Sequence, residues 1–297
     1  MKSIPVFIII CIVVTTASVI RQEFSASYVY NGVYDYHRRT GIGLAEKIRK
    51  YEDEIAANKQ RITGGSPTEI GAVPYQAGLV ITILYVFQSV CGGSLISETR
   101  VLTAAHCYSD GVISGQSMTV VLGSTLLFSG GTRIETTDIV THSAYNPSTA
   151  ENDIAIIRVP SVTFSSLIQP ASLPSGDEVN MDFTGFQARA SGYGMTSDEE
   201  SISLFQTVSS VTVPVISNAQ CMSIYGGFIL AQHLCTSGDG GRGTCGGDSG
   251  GPLVVDMASG TILIGITSFG ADACEAAFPS AYVRVTEFIQ WISSQLN

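Results

Sequence analysis

The 236 residues after Arg61 contain no lysine, and the last lysine of the chain is Lys59. Lysine is among the commonest residues, so a stretch of that length ordinarily carries many. Cationic charge there rests on Arg100, Arg133, Arg158, Arg189, Arg242 and Arg284, set against nineteen Asp or Glu residues. That balance excludes nucleic acid and anionic membrane surfaces as partners, because both are held through clustered Lys and Arg. Long apolar runs are also missing. The strongest candidate, Ile4 to Val14, is much shorter than the roughly 20 residues a membrane-spanning helix needs. There is no C-x-x-C pair and no histidine cluster, so the cysteines do not read as a metal site. No N-x-Ser/Thr acceptor has an allowed middle residue, which excludes N-glycosylation. With 45% apolar and only 13% charged residues, the chain is too apolar for disorder.

Lys2, the apolar run and Thr15-Thr16-Ala17 make the basic, apolar and small-residue succession of a secretory signal over residues 1–17. Setting Cys11 aside with that signal leaves Cys91, Cys107, Cys221, Cys235, Cys245 and Cys274, an even number suited to an oxidising compartment. Six cysteines allow fifteen pairings, and the residues alone do not choose among them. Within Gly43 to Ala57, Leu44, Ile48, Tyr51 and Ile55 recur at offsets of four, three and four, with Glu46 four residues before Lys50. This spacing predicts an amphipathic helix, either covering part of the following domain or lying as a solvated linker. From Val73 the chain reads as short strands. Gln76 to Val86, Val90 to Ile96, Thr119 to Leu122, Asp153 to Val159, Phe205 to Val215, Pro252 to Val255 and Thr261 to Phe269 are apolar, β-branched-rich runs divided by turn residues. An all-β domain follows, closed by a short helix from Thr286 to Leu296 with Thr286 as its cap.

Three segments carry the chemistry. Ser249 stands in Gly247-Asp248-Ser249-Gly250-Gly251-Pro252, a glycine-rich turn that exposes a hydroxyl. A serine hydroxyl is a weak nucleophile unless an imidazole takes its proton and a carboxylate orients that imidazole. His106 in Leu102-Thr103-Ala104-Ala105-His106-Cys107 and Asp153 in Asn152-Asp153-Ile154-Ala155 supply the two groups. With Arg61-Ile62-Thr63-Gly64-Gly65, these motifs make the chain from about Arg61 to its C-terminus resemble the chymotrypsin-like, trypsin-fold serine proteases. Within that family the Gly243-Thr244 pair, the run Thr267-Ser268-Phe269-Gly270 and the missing lysines are most like insect midgut chymotrypsin-like digestive enzymes.

The resemblance implies two six-stranded antiparallel β-barrels meeting at a cleft, with a crossover between about Phe164 and Met181. Residues 18–61 become an activation pro-segment and 62–297 the protease domain. It further implies the disulfides Cys91–Cys107, Cys221–Cys235 and Cys245–Cys274. His106, Asp153 and Ser249 form the catalytic triad, and the amides of Gly247 and Ser249 the oxyanion hole. Cleavage after Arg61 frees an ammonium on Ile62 that pairs with Asp248, so the enzyme is made silent and switched on by a trypsin-like protease. Gly243, Thr244, Ser268, Phe269, Gly270 and Ser280 line the substrate pocket, with Gly243 where trypsins carry an aspartate. An uncharged base disfavours Lys and Arg and suits Phe, Tyr, Leu and Met, although Asp272 and Glu275 flank Cys274 at the rim. A broad elastase-like or collagenolytic protease, or a non-catalytic homologue, are the alternatives. The expected partners are protein and peptide substrates, the activating protease and protein protease inhibitors, and the enzyme is expected to be a secreted monomer in the gut lumen. No cofactor and no metal is expected, since the loop from Ser124 to Thr132, which holds calcium in some relatives, has no carboxylate. Freedom from lysine suits an alkaline fluid shared with trypsin, where lysine loses its charge and arginine keeps it.

Overall fold

The computed structural model describes residues 33–58, 68–198, 207–271 and 273–296. The leader 1–17, the Arg61-Ile62 junction, residues 205 and 206 and Asp272 lie outside the described residues. Among the described residues no helix is long and apolar enough to cross a membrane.

Two antiparallel sheets make the body. The first contains β1 (Gln76–Ile83), β2 (Phe87–Ser97), β3 (Arg100–Thr103), β4 (Ser117–Leu122), β5 (Thr132–Thr136), β6 (Ile139–Thr141) and β7 (Ala155–Arg158), ordered β5-β4-β1-β2-β3-β7-β6. Seven strands replace the six expected, and the reason is local. The terminal strands β5 and β6 are consecutive in the chain, separated only by Thr137 and Asp138, where the Asp138 amide donates to Thr136 Oγ1 at 3.1 Å. Counted as one bent strand they return the sheet to six strands. The second sheet is a closed six-stranded barrel of β8 (Gln187–Gly192), β9 (Ser209–Ile216), β10 (His233–Thr236), β11 (Pro252–Met257), β12 (Gly260–Phe269) and β13 (Ser280–Arg284), ordered β10-β13-β12-β11-β8-β9. Leu79, Ile81, Leu95, Leu102, Met118 and Ile156 fill the first sheet, while Phe183, Leu234, Leu253, Ile264 and Tyr282 fill the second.

Helices are few. The predicted N-terminal helix is α1 (Ile42–Asn58), entered through a π-type turn, His37–Gly41. Its apolar stripe lies on the domain, with Leu44, Ile48 and Tyr51 buried and Ile55 half-buried, so it is a docked element and not a solvated linker. A second helix, α2 (Asn218–Tyr225), is capped by the Ser217 side chain. The C-terminal α3 (Ile289–Ser294) follows a 3-10 turn, Val285–Phe288, so Thr286 sits inside that turn and does not cap the helix. The first strand also ends sooner than its composition suggests. Ile83 pairs with Phe87, and Leu84 and Tyr85 take positive φ of 49° and 62°, making a tight turn without Gly or Asn and leaving Leu84, Tyr85 and Val86 exposed.

Candidate active site

The site forms where the two sheets meet. On the first sheet, β3 runs into a 3-10 turn, Ala105–Cys107, that carries His106. β3 pairs with β7, Thr103 opposite Ala155, and that register brings Asp153, just ahead of β7, beside His106. Disulfide Cys91–Cys107 ties the histidine turn to β2. The bridges Cys221–Cys235 and Cys245–Cys274 brace α2 against β10 and fasten the segment preceding Ser249.

Asp153 and His106 are fully buried and doubly joined. The His106 amide donates to Asp153 Oδ1 at 2.9 Å, and Nδ1 lies 2.8 Å from Oδ2. A third donor comes from the second sheet: Ser268 Oγ donates to Asp153 Oδ2 at 2.6 Å. Burial acts to raise the pKa of Asp153, but the charge and hydrogen bonds of His106 with the Ser268 hydroxyl outweigh it and hold the carboxyl below its ordinary range. An ionised Asp153 accepting from Nδ1 fixes the proton there and leaves Nε2 as the acceptor.

Ser249, on the other sheet, is 8% exposed. Its turn is pinned by three main-chain bonds: the Gly92 amide donates to Ser249 O at 2.7 Å, the Gly250 amide to Thr267 O at 2.7 Å, and the Gly251 amide to Asp248 O at 2.9 Å. Gly250 has φ +78°, and a Cβ there would fall 2.2 Å from Thr103 Oγ1. Only glycine allows this turn to press so closely on β3. Among the described residues no hydrogen bond joins Ser249 Oγ to His106 Nε2. Instead the His106 ring meets the ring of Tyr36 edge-on, centroids 5.0 Å apart.

Asp248 points inward. It is half-buried and accepts from the amides of Gly194 (2.9 Å) and Cys245 (3.0 Å). Burial pushes its pKa up to about 6 despite those two bonds. Among the described residues no cation pairs with it.

A cavity of about 420 Å³ opens beside Ser249, walled by Thr244, Cys245, Gly246, Ser268, Phe269 and Gly270 on the domain side and by Tyr36, Arg39 and Thr40 on the other. The Phe269 side chain turns away to pack on Tyr225 and His233, which leaves its backbone toward the cavity. Gly243 lies deeper, in a cavity of about 230 Å³ shared with Thr244, Arg242, Asp248 and Glu275. Ser280 is buried against it, its Oγ accepting from the Thr244 amide at 3.3 Å. Glu275 is engaged by the Asp198 amide at 2.8 Å. The remaining described histidines of the domain are packed: His142 against Phe288 and Trp291, and His233 against Phe269 with its Nδ1 accepting from the Leu230 amide. Two groups, Cys91/His106/Cys107 and Asp198/Cys245/Cys274, have metal-ligand spacing, but their sulfurs are bonded in disulfides and are not thiolates.

Sequence reasoning missed several participants. Ser268 is expected in the wall of the substrate pocket, and its hydroxyl in addition reaches Asp153. Tyr36 and His37 carry no motif, and Glu52, on the domain-facing side of α1, accepts from the amides of Leu127 (2.7 Å) and Phe128 (3.0 Å) and from Ser129 Oγ (2.9 Å). The loop from Ser124 to Thr132, which has no carboxylate of its own, thus receives one from α1. No local pattern signals a contact spanning 75 residues.

Residues 62–292 match the family model described as Trypsin. Collagenase of Hypoderma lineatum is 39% identical over 234 residues, which is 78% of this chain and 86% of the relative. Brachyurin of Leptuca pugilator is 40% identical over 239 residues, covering 79% of this chain and 98% of the relative. Serine protease 1 of Drosophila melanogaster is 38% identical over 235 residues, 78% of this chain and 84% of the relative. Among solved structures, an HL collagenase structure at 1.7 Å resolution superposes with a TM-score of 0.70 and 36% identity, covering 78% of this chain and 97% of that one.

Proposed function

The chain belongs to the trypsin family of serine proteases, and from that premise we propose a secreted endopeptidase, made as a zymogen, that cleaves proteins after large apolar side chains in the gut lumen. The observation that carries the catalytic reading is the buried His106–Asp153–Ser268 network facing the turn of Ser249. His106 Nε2 takes the Ser249 proton as Oγ attacks the scissile carbonyl, and Asp153 stabilises the imidazolium. The amides of Gly247 and Ser249 bind the oxyanion, which is commonly the largest electrostatic contribution in such sites. His106 then gives the proton to the leaving amine, and water repeats the sequence on the acyl-enzyme.

Residues 1–17 act as signal, 18–61 as pro-segment and 62–297 as protease domain. Cleavage after Arg61 by a trypsin-like protease produces the Ile62 ammonium. Asp248 supports this role because it is a desolvated carboxylate whose described partners are two amides, an arrangement costly without a cation. Pairing with Ile62 turns the backbone so that the Gly247 and Ser249 amides face the substrate.

Gly243 and Ser280 leave the pocket base uncharged, which favours Phe, Tyr, Leu and Met. A second reading, a broad or collagenolytic specificity, is favoured by the similarity to a collagenase. The test is hydrolysis of matched peptide amides ending in Phe, Leu, Ala or Arg by the protein cut at Arg61, at neutral and alkaline pH. Phe and Leu substrates are expected to lead by at least tenfold, with activity persisting at high pH. Comparable rates on all four would establish the second reading, and dominant cleavage after Arg would show that a rim carboxylate reaches the pocket.

A further inference from the structure

Residues 33–58 lie across the catalytic cleft. On one side of the triad Val33 is buried in the apolar cluster containing Ala150, Tyr225 and Phe269. Tyr36 stands in the centre, its ring edge-on to His106 and its hydroxyl donating to Val90 O at 2.8 Å. Its hydroxyl also feels the Ser249 hydroxyl and the Gly247 amide, while burial drives its pKa far above the ordinary phenol range. On the other side the His37 amide donates to Asp110 Oδ2 at 2.9 Å, and His37 Nδ1 pairs with Ser89 Oγ at 2.8 Å. Gly41 rests directly on β2, where a Cβ would fall 1.9 Å from Ser89 Oγ. Glu52, 5% exposed, anchors the far end in the amides of Leu127 and Phe128, and the Arg49 guanidinium lies 4.8 Å over the Phe128 ring.

We propose that this segment is an inhibitor of the enzyme's own active site, which stays seated after the cut at Arg61 and is cleared only when it is itself cut. The proposal rests on the zymogen reading above and adds a second lock to it. A protease needs an extended substrate with a carbonyl carbon in front of the nucleophile. Here His37–Gly41 is helical, and a phenol hydroxyl, which offers the serine no carbonyl carbon to attack, takes the place before Ser249. The seat does not depend on the peptide bond at Arg61, since buried Val33, Tyr36, Leu44, Ile48, Tyr51 and the Glu52 carboxylate bind the domain on their own. The outer face of α1 carries Lys47, Arg49 and Lys50, all exposed, whereas the domain after Arg61 has no lysine at all. A protease selective for basic residues thus finds its densest targets in the inhibitor and few in the enzyme released.

The experiment is a time course of trypsin treatment of the full chain, following the Ile62 N-terminus, the 33–58 fragment and hydrolysis of a small Phe amide. In the native sequence, activity is expected to lag the Arg61 cut and to rise at least tenfold as the 33–58 fragment disappears. Gly41→Leu, which cannot seat against Ser89, is expected to show activity together with the cut, and Glu52→Gln a shortened lag. Full activity while 33–58 is intact would overturn the proposal. A second readout does not need activity: after the Arg61 cut, the fragment is expected to co-elute with the Ser249→Ala protein on gel filtration, and its separation would equally overturn the proposal. Absence of activity after the 33–58 fragment has gone would refute the enzymatic reading, while co-elution of the fragment with the Ser249→Ala protein would still establish the seating.

Discussion

Asp248 shows how a desolvated carboxylate couples stability to pH. Its pKa of about 6 in the uncut chain lies above the ordinary aspartate value near 3.8, so the folded uncut chain favours the protonated form. The sign follows: this group's contribution is fully present below about pH 4 and is lost as pH rises through about 6, amounting to about 3 kcal/mol at neutrality. Urea unfolding of the uncut Ser249→Ala chain at pH 4 and pH 7, with and without Asp248→Asn, checks this. The Asn variant is expected to gain about 3 kcal/mol relative to its parent between those pH values, and equal pH dependence of the two would refute it. At this scale the sequence was most informative where chemistry leaves few options: a serine among glycines, a histidine beside a cysteine and an aspartate leading an apolar run. Ser268 was less legible, because a hydroxyl in a strand carries no mark of the strand face from which it reaches Asp153.

The turn Gly247–Pro252 is the element on which the proposed site depends, because it brings Ser249 from one sheet toward His106 on the other. Gly250 is where that approach is closest. Gly250→Ala introduces a side chain at φ +78° and within 2.2 Å of Thr103 Oγ1, so backbone strain and overpacking act together. A loss of about 2–4 kcal/mol is expected in urea unfolding, and a change below about 0.5 kcal/mol would show that the two sheets part there without cost. Strands were legible as elements because β-branched runs bounded by turn residues have a local cause. Their joins were less so. The Leu84-Tyr85 turn uses residues that ordinarily avoid positive φ, and the bend at Thr137-Asp138 that divides β5 from β6 depends on the Thr136 hydroxyl, not on Gly or Pro. Helix α1 was visible from its spacing, but its seat on Gly247 and on the loop of Leu127 is a long-range packing result.

Across the whole molecule, charge, disulfides and chain order support one sequence of events. The basic residues cluster ahead of Ile62, the acidic excess lies after it, and three disulfides hold the domain without tethering residues 33–58. The proposed cut at Arg61 would create an ammonium for Asp248, while residues 33–58 remain held on the domain by their own buried contacts. The disulfide pairing itself came from family likeness, since spacing alone allows fifteen arrangements. The measurement that bears most directly on the account is covalent labelling by an organophosphonate serine reagent, mapped by peptide mass spectrometry, on the full chain before cleavage and after removal of residues 1–61. Stoichiometric modification of Ser249 is expected only after removal, at a rate at least a hundredfold above the uncut chain and abolished by His106→Ala. Equal labelling before and after, or none after removal, would contradict it.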